Sequence, residues 1–526
     1  MQSVTIAFLQ ELHQSFIMFA PGLPFFILLL TTTTAQPYKA TDIFFLNCGS
    51  SIPSNSNSDQ KWDGDEHSNF VPSNTTTTSF SSVPNHLDSS IPQTPYSTAR
   101  FFNSSFTYTF PVSQGPKFLR LHFYPSTYSH LNTQQSFFSV SSNGYSLLTN
   151  FSAFLALSFL RNTRTNDARV VKEFLIYVKD TNILNVTFTP SPNSYAFING
   201  IEIVSMPENL YFNAKTPKYV NQYTGPVIDN NTGLETIYRL NMGGGQVSVK
   251  DDTGMYRSWD QDNYFIYGAA IGLTPVYDNP IVYTTETPNY TAPEVVYQTQ
   301  RSMGKLSDKY NLTWILPVDS GFYYMLRLHF CNIIPQYTNR GQVVFKIFIN
   351  NQTAEVEADL FYWTQGSGYP VFKDYIVFVS DPDGRRSKQD LWVALHPNSV
   401  SELYLDAYLN GLEVFKLSMD KNLASPNPEL SFSTTPTGLT PTVKRNKKTT
   451  YCVIVGGIGG VLVLLSISVL VVFWQQRRVR QYGSAYDRSS YRPAYSEPNT
   501  TKASHSTLAS DDDDSDTVSF VFKRLG

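Results

Sequence analysis

The sequence predicts an all-β protein, two tandem antiparallel β-sandwiches followed by one transmembrane helix. Charged residues make up only 15% of the chain while aromatics reach 14%, with 33 Tyr and 37 Phe. Strands favour aromatic and β-branched residues, whereas an ordinary soluble domain is about a quarter charged. A set of landmarks occurs twice in the same order, roughly 200 residues apart, which marks a duplicated domain. One stretch, Tyr451 to Phe473, runs 23 residues without a charge.

Residues 1–35 read as a signal peptide. Its apolar core, Phe16 to Leu30, is too short and too proline-broken to span a bilayer, and Thr33 and Ala35 supply the small residues a cleavage site needs. Residues 451–473 are long enough to cross. Arg477, Arg478 and Arg480 follow them, but Lys444, Arg445, Lys447 and Lys448 precede them, so local charge does not set orientation. The signal peptide does, giving a single-pass type I plasma-membrane protein with residues 36–450 outside. Gly456 and Gly460 form a GxxxG pair, a pattern that arises easily among so many glycines. The external part carries eight N-x-S/T sequons, at Asn74, Asn103, Asn150, Asn185, Asn230, Asn289, Asn311 and Asn351, all expected to carry glycans. Asn499 lies past the membrane span and is expected to stay bare.

The repeat is explicit. Leu119–Phe123 and Leu326–Phe330 both read LRLHF. Leu46-Asn47-Cys48-Gly49 matches Leu240-Asn241-Met242-Gly243, and Trp62-Asp63-Gly64-Asp65 matches Trp259-Asp260-Gln261-Asp262. Tyr96 to Arg100 pairs with Tyr297 to Arg301, and Asn199-Gly200-Ile201-Glu202 with Asn410-Gly411-Leu412-Glu413. The copies span 38–207 and 229–418, joined by a linker near 208–228. A Ser/Thr/Pro-rich stalk follows at 419–449, and a short tail at 474–526 reads as disordered. Of three cysteines, Cys452 falls in the apolar span. A Cys48–Cys331 bridge is open to the sequence, but Cys48 faces Met242 and Cys331 faces Tyr124 in the alignment, which favours two buried thiols.

Within LRLHF, Leu119, Leu121 and Phe123 point to one face and Arg120 and His122 to the other. Lys172–Val178, Val343–Ile349 and Asp374–Val379 also read as strands. Asn-Gly pairs at Asn143, Asn199 and Asn410 are expected to make tight hairpin turns. No long amphipathic helix is evident outside the membrane span.

Together LNCGSS (Leu46–Ser51), the WDxD pair, Tyr96-x-Thr98-Ala99-Arg100, both LRLHF strands and both NGxE turns resemble the FERONIA-type receptor-like kinases of plants, over about residues 40–420. The resemblance implies two malectin-like domains of jelly-roll type, a role in cell-wall and growth signalling, and a secreted rapid-alkalinisation-factor peptide as ligand. It also implies a GPI-anchored co-receptor or related receptor kinase as partner. Members of that family carry a cytoplasmic Ser/Thr kinase. The residues after Phe473 hold no HRD, DFG or APE, so this chain is expected not to be an enzyme.

The other candidate motifs weigh towards structure. Gly243-Gly244-Gly245 with Lys250 lacks a kinase lobe and reads as a domain-opening turn. Asp252-Thr253-Gly254 and Asp319-Ser320-Gly321 mimic an aspartic-protease pair but lack its strand context. Asp63/Asp65 and Asp260/Asp262 offer too few oxygens for Ca²⁺ and are expected to anchor loops. His122 and His329 have no metal-spaced neighbours and are expected to make structural or domain-face hydrogen bonds. No cofactor or metal site is expected, and a net charge of −3 gives no basis for nucleic-acid binding. Two functions remain open, a receptor ectodomain for a peptide or partner receptor, with its ligand at loop ends or in a cleft between the domains, and a lectin module for cell-wall polysaccharide. A third is a truncated form of a receptor-like kinase.

Overall fold

The computed structural model describes residues 38–428, apart from 57–59, 72–77, 164–166, 213–216, 223, 269–270, 279, 305–309, 382–383, 385–387 and 402. The signal peptide, Asn74, most of the stalk, the 451–473 span and the tail lie outside the described residues. Among those described, no helix is long and apolar enough to cross a membrane.

The first repeat contributes strands β1 (Ile43–Asn47), β2 (Lys61–Gly64), β3 (Phe106–Pro111), β4 (Gly115–Phe123), β5 (Phe138–Ser142), β6 (Tyr145–Phe151), β7 (Val170–Val178), β8 (Ile183–Pro190) and β9 (Gly200–Ser205). The second contributes β10 (Leu234–Asn241), β11 (Leu312–Asp319), β12 (Phe322–Cys331), β13 (Phe345–Ile349), β14 (Gln352–Ala358), β15 (Pro370–Val379), β16 (Lys388–Pro397) and β17 (Gly411–Leu417). Both LRLHF segments are strands at matching places, in β4 and β12. Leu119, Leu121 and Phe123 enter the first repeat's core, as their alternation requires.

Each repeat is a sandwich, but the two share one sheet. Strands β15-β12-β17-β10 run directly into β7-β4-β9-β1-β2 in a single 12-stranded sheet. Four-stranded outer sheets, β6-β5-β8-β3 and β11-β16-β13-β14, cover the two halves. The join is antiparallel pairing of β7 with β10, with Glu173 opposite Thr236, Phe174 opposite Glu235 and Leu175 opposite Leu234.

The linker does not frame a cleft. Leu210, Tyr211 and Phe212 are buried with Phe118, Leu175, Leu234, Met325 and Phe415, filling the face of the shared sheet that turns away from the outer sheets. Among the described residues the longest helix, α1 at Ala153–Thr163, departs from the all-β expectation. Its sequence, AFLALSFLRNT, is apolar on nearly every side, so it shows no helical stripe to read.

Buried ion pairs flank the join on both faces. On the core side, Glu235 accepts from Lys172 (2.7 Å) and pairs with Lys416, which reaches Asp319 (2.9 Å). On the linker side, Glu173 is shared between Arg120 (2.6 Å) of the first repeat and Arg239 (2.9 Å) of the second. Burial alone would raise the Glu173 carboxyl; Arg239 and Arg120 override it and hold it at about 2.

Removing one member of such a cluster leaves its partners charged and dry. Lys416→Met is therefore expected to destabilise the protein by about 3–5 kcal/mol. Lys218→Met, which removes the exposed pair with Glu355, should cost no more than about 0.5 kcal/mol. Urea unfolding checks both, and equal shifts would contradict the assignment.

Candidate interaction surface

The repeated landmarks assemble into two copies of the same buried constellation. Asp65 accepts from the backbone N–H of Gly49 (2.8 Å) and from Arg100 through Nε (2.6 Å) and Nη2 (2.8 Å). Asp262 does the same with Gly243 (3.0 Å) and Arg301 (2.6 and 2.7 Å). Each second WDxD carboxylate is thus occupied by an arginine fork and a loop amide, the anchoring role expected of it. Among the described residues no group of three or more His, Cys, Asp or Glu could hold a metal.

The histidines stand in equivalent brackets. Tyr96 OH lies 2.6 Å from His122 Nδ1, and Glu202 Oε1 lies 2.8 Å from its Nε2. Tyr297 OH lies 3.0 Å from His329 Nδ1, and Glu413 Oε2 lies 3.1 Å from its Nε2. At His329 a neutral ring satisfies both partners, with Tyr297 donating to Nδ1 and the Nε2–H donating to Glu413.

The Asn-Gly pairs separate into two kinds. Asn143 (φ 45°) and Gly144 (φ 83°) form the expected turn between β5 and β6. Asn199 and Asn410 do not make φ > 0 turns. Their fully buried side chains instead bracket neighbouring strands, Asn199 Oδ1 accepting from Tyr124 N–H (2.7 Å) and Asn410 Oδ1 from Cys331 N–H (2.8 Å). The adjoining glycines are needed for close approach, because a Cβ at Gly200 would lie 2.6 Å from Pro95 and one at Gly411 2.8 Å from Val296.

Cys48 and Cys331 are free buried thiols, and burial pushes both upward, Cys331 to about 12. The two Asp-x-Gly motifs never meet as a catalytic pair. Asp252 is tied to Arg257 (2.9 Å), and Asp319 to Lys416 and Lys388.

Of the sequons, Asn103, Asn150, Asn185, Asn311 and Asn351 are exposed, and Asn230 and Asn289 are half-buried. They are scattered over both repeats and do not converge on one site.

Exposed apolar side chains, in contrast, concentrate on loops of the second repeat. Ile271 (61%), Leu273 (60%), Val276 (66%) and Leu403 (65%) stand well into solvent, beside Tyr404 and Leu405. These loops are held in place from beneath. Buried Asp406 accepts from Ser302 Oγ (2.7 Å), Gly304 N–H (2.9 Å) and Tyr337 OH (2.7 Å), and the Tyr337 and Tyr404 rings meet at 4.9 Å. Exposed apolar side chains on anchored loops are the candidate docking surface of this fold. Sequence reasoning missed it, and the only signal was apolar residues in Pro/Gly-punctuated loop sequence such as Ile271-Gly272-Leu273-Thr274-Pro275-Val276. Two shallow recesses open on the first repeat. One, of ≈ 470 Å³, is lined by Asp63, His67, Asn69 and Phe70, and the other, of ≈ 500 Å³, by Tyr38, Lys117, Tyr177 and Glu208.

The His329 bracket makes a pH prediction. Burial drives its pKa below the ordinary 6.5, against the opposing pull of Glu413. The unfolded chain then binds the extra proton, so stability is full above about 6.5 and is lost as pH falls below it. The seam carboxylates Glu173 and Glu235 are held low and add their own loss only below about 4.5. Between those values His329→Gln should reduce the slope of unfolding free energy against pH by up to about 1.4 kcal/mol per unit. An unchanged slope in denaturant unfolding at pH 4.5–6.5 would contradict it.

Residues 46–417 match the Malectin-like domain family. The receptor-like protein kinase FERONIA of Arabidopsis thaliana is 43% identical over 478 residues, covering 88% of this chain and 51% of the relative. The chain thus spans about half the length of the curated relatives it matches. The crystal structure of the plant receptor-like kinase FER is 44% identical and covers 74% of this chain and 99% of that one, with a TM-score of 0.66. The crystal structure of plant peptide RALF23 in complex with FER and LLG2 gives 43% identity, the same coverage and a TM-score of 0.66. The chain belongs to the malectin-like domain family, among the relatives of FERONIA and related receptor-like kinases.

Proposed function

We propose that this chain is a receptor-type ectodomain at the plant plasma membrane that captures a secreted peptide of the rapid-alkalinisation-factor type. A GPI-anchored co-receptor or a related receptor kinase would be its partner. The observation that carries this is the apolar loop surface of the second repeat, anchored on Asp406 and solvent-facing at Ile271, Leu273, Val276 and Leu403. It is supported by the family and by the related FER chain, whose structure was solved with a peptide and LLG2. A peptide can bury apolar side chains there, whereas a neutral sugar offers mainly stacking and hydrogen bonds that compete with water. The role proposed for this chain is ligand capture, and glycans on the external sequons fit a secreted surface.

The second reading, a wall-polysaccharide lectin, is favoured by the recess that sets Asp63, His67 and Asn69 beside the half-buried Phe70. Calorimetry of the glycosylated protein decides between them. Leu273→Asp and Leu403→Asp are each expected to weaken peptide or co-receptor binding at least about tenfold, while changing unfolding free energy by no more than about 0.5 kcal/mol. Submicromolar binding of a pectin or cellulose fragment, with no peptide or co-receptor binding, would reverse the assignment. Endoglycosidase should remove several glycan masses from the protein, and an unchanged mass would remove the secretory premise.

A further inference from the structure

We infer that residues 419–427 form a detachable strap that seals one edge of the first repeat and fixes where the chain leaves the fold. Strand β17 ends at Leu417, and the chain then reverses in a turn. Met419 and Asn422 bond each other in both directions (2.8 and 3.0 Å), and Asp420 (φ 50°) and Lys421 (φ 60°) between them are both left-handed. Two consecutive non-glycine residues in that region are disfavoured, so the turn is held by the attachments of residues 421–427.

Those attachments are to the other repeat. Ser146 N–H donates to Lys421 O (3.0 Å), and Leu423 N–H donates to Ser146 O (2.9 Å). The Leu423 side chain is fully buried in the first repeat's core, near Tyr145 and Gly233. Asn427 closes the far end, its Nδ2 donating to Asn150 O (2.7 Å) and its Oδ1 accepting from Ser152 N–H (2.9 Å).

Strand β6, to which all this is attached, is the edge of its four-stranded sheet. Such an edge carries free backbone donors and acceptors and needs cover. The strap supplies it with one buried side chain, four hydrogen bonds and the Lys421 ammonium over the Tyr145 ring (5.7 Å), whereas β5 behind it is paired on both sides. So lightly held a segment opens as a local unit, baring the β6 edge and an apolar slot the size of Leu423.

The strap also orients the molecule. It docks beside the Asn143–Gly144 turn, at the end of the shared sheet where β17 finishes and β12 begins. The apolar loops leave from the other end, where β12 finishes at Cys331 and β16 at Pro397. A ten-residue strand such as β12 separates those ends by about 30 Å. With the apolar loops as the docking surface, the partner is then presented away from the point of exit. The strap itself does not depend on that reading.

Amide hydrogen exchange of the full glycosylated chain, read on peptides covering 138–152, 183–190 and 418–428, tests the strap. Residues 145–152 and 421–427 should exchange together, faster than β5 and β8. Leu423→Ala should speed both by about 30-fold, the low end for emptying a buried leucine site, without accelerating β5 or β8. The milder Asn427→Ala should speed residues 150–152 alone and decides the matter if Leu423→Ala does not fold. Strap amides that exchange only with the whole fold, or variants that accelerate β5 and β8 equally, would overturn the inference.

Discussion

The pairing of β7 with β10 is the constraint on which the rest of the architecture depends. Three residue pairs join two sandwiches into one sheet, and every other feature of the junction completes what that pairing leaves exposed. Buried polar groups stand on both faces of the join, between the two cores. Glu235 and Lys416 lie on one side, and Glu173 with Arg120 and Arg239 on the other. Buried charges of this kind contribute specificity of register more securely than net stability, because each requires its partner in one place. The linker then covers the charged face. Tyr211 OH donates to Glu413 (2.7 Å), and Arg327 Nη1 donates to Leu210 O (2.5 Å), so residues 210–212 of the connection are buried against the sheet beneath them.

Duplication is most faithful where the structure is buried and least where it meets solvent. The Asp–Arg forks, the Tyr–His–Glu brackets and the Asn brackets recur with the same atoms in contact. Substitutions between copies respect those contacts. Tyr108 OH donates to Asp65 (2.7 Å) where Trp314 Nε1 donates to Asp262 (2.9 Å), a swap that keeps both the aromatic bulk and the hydrogen bond. Binding chemistry is accordingly not to be sought in the shared motifs, which are consumed in holding loops and strands. The proposed peptide-binding role rests instead on loops that the second repeat builds over them.

Much of this was legible in the sequence. The alternation in LRLHF placed Leu119, Leu121 and Phe123 inward because a strand has period two and the pattern is strict there. The WDxD carboxylates could be read as anchors, although their arginine partners could not, since Asp65 and Arg100 are 35 residues apart and only the fold joins them. Asn199 and Asn410 misled, because an Asn-Gly pair signals a turn by local conformation while a buried amide is selected by long-range hydrogen bonds. Helix α1 was hidden by apolar residues on all sides. The filled junction between repeats was hidden too, since pairing of β7 with β10 leaves no mark on either strand's own pattern. The apolar loop surface and the strap share that difficulty. Leu273 and Leu423 look alike in sequence, and only the fold shows that one faces solvent and the other a core.

The shared sheet joins the two repeats through backbone hydrogen bonds, from which a single cooperative unfolding unit is expected. A protease site placed within residues 213–216 of the linker, cut in the folded protein and followed by calorimetry and size-exclusion chromatography, tests this most directly. The cut halves are expected to stay associated and to unfold in a single transition, with calorimetric and van't Hoff enthalpies in agreement. Dissociation of the halves after cleavage, or two resolved transitions, would contradict a single cooperative body.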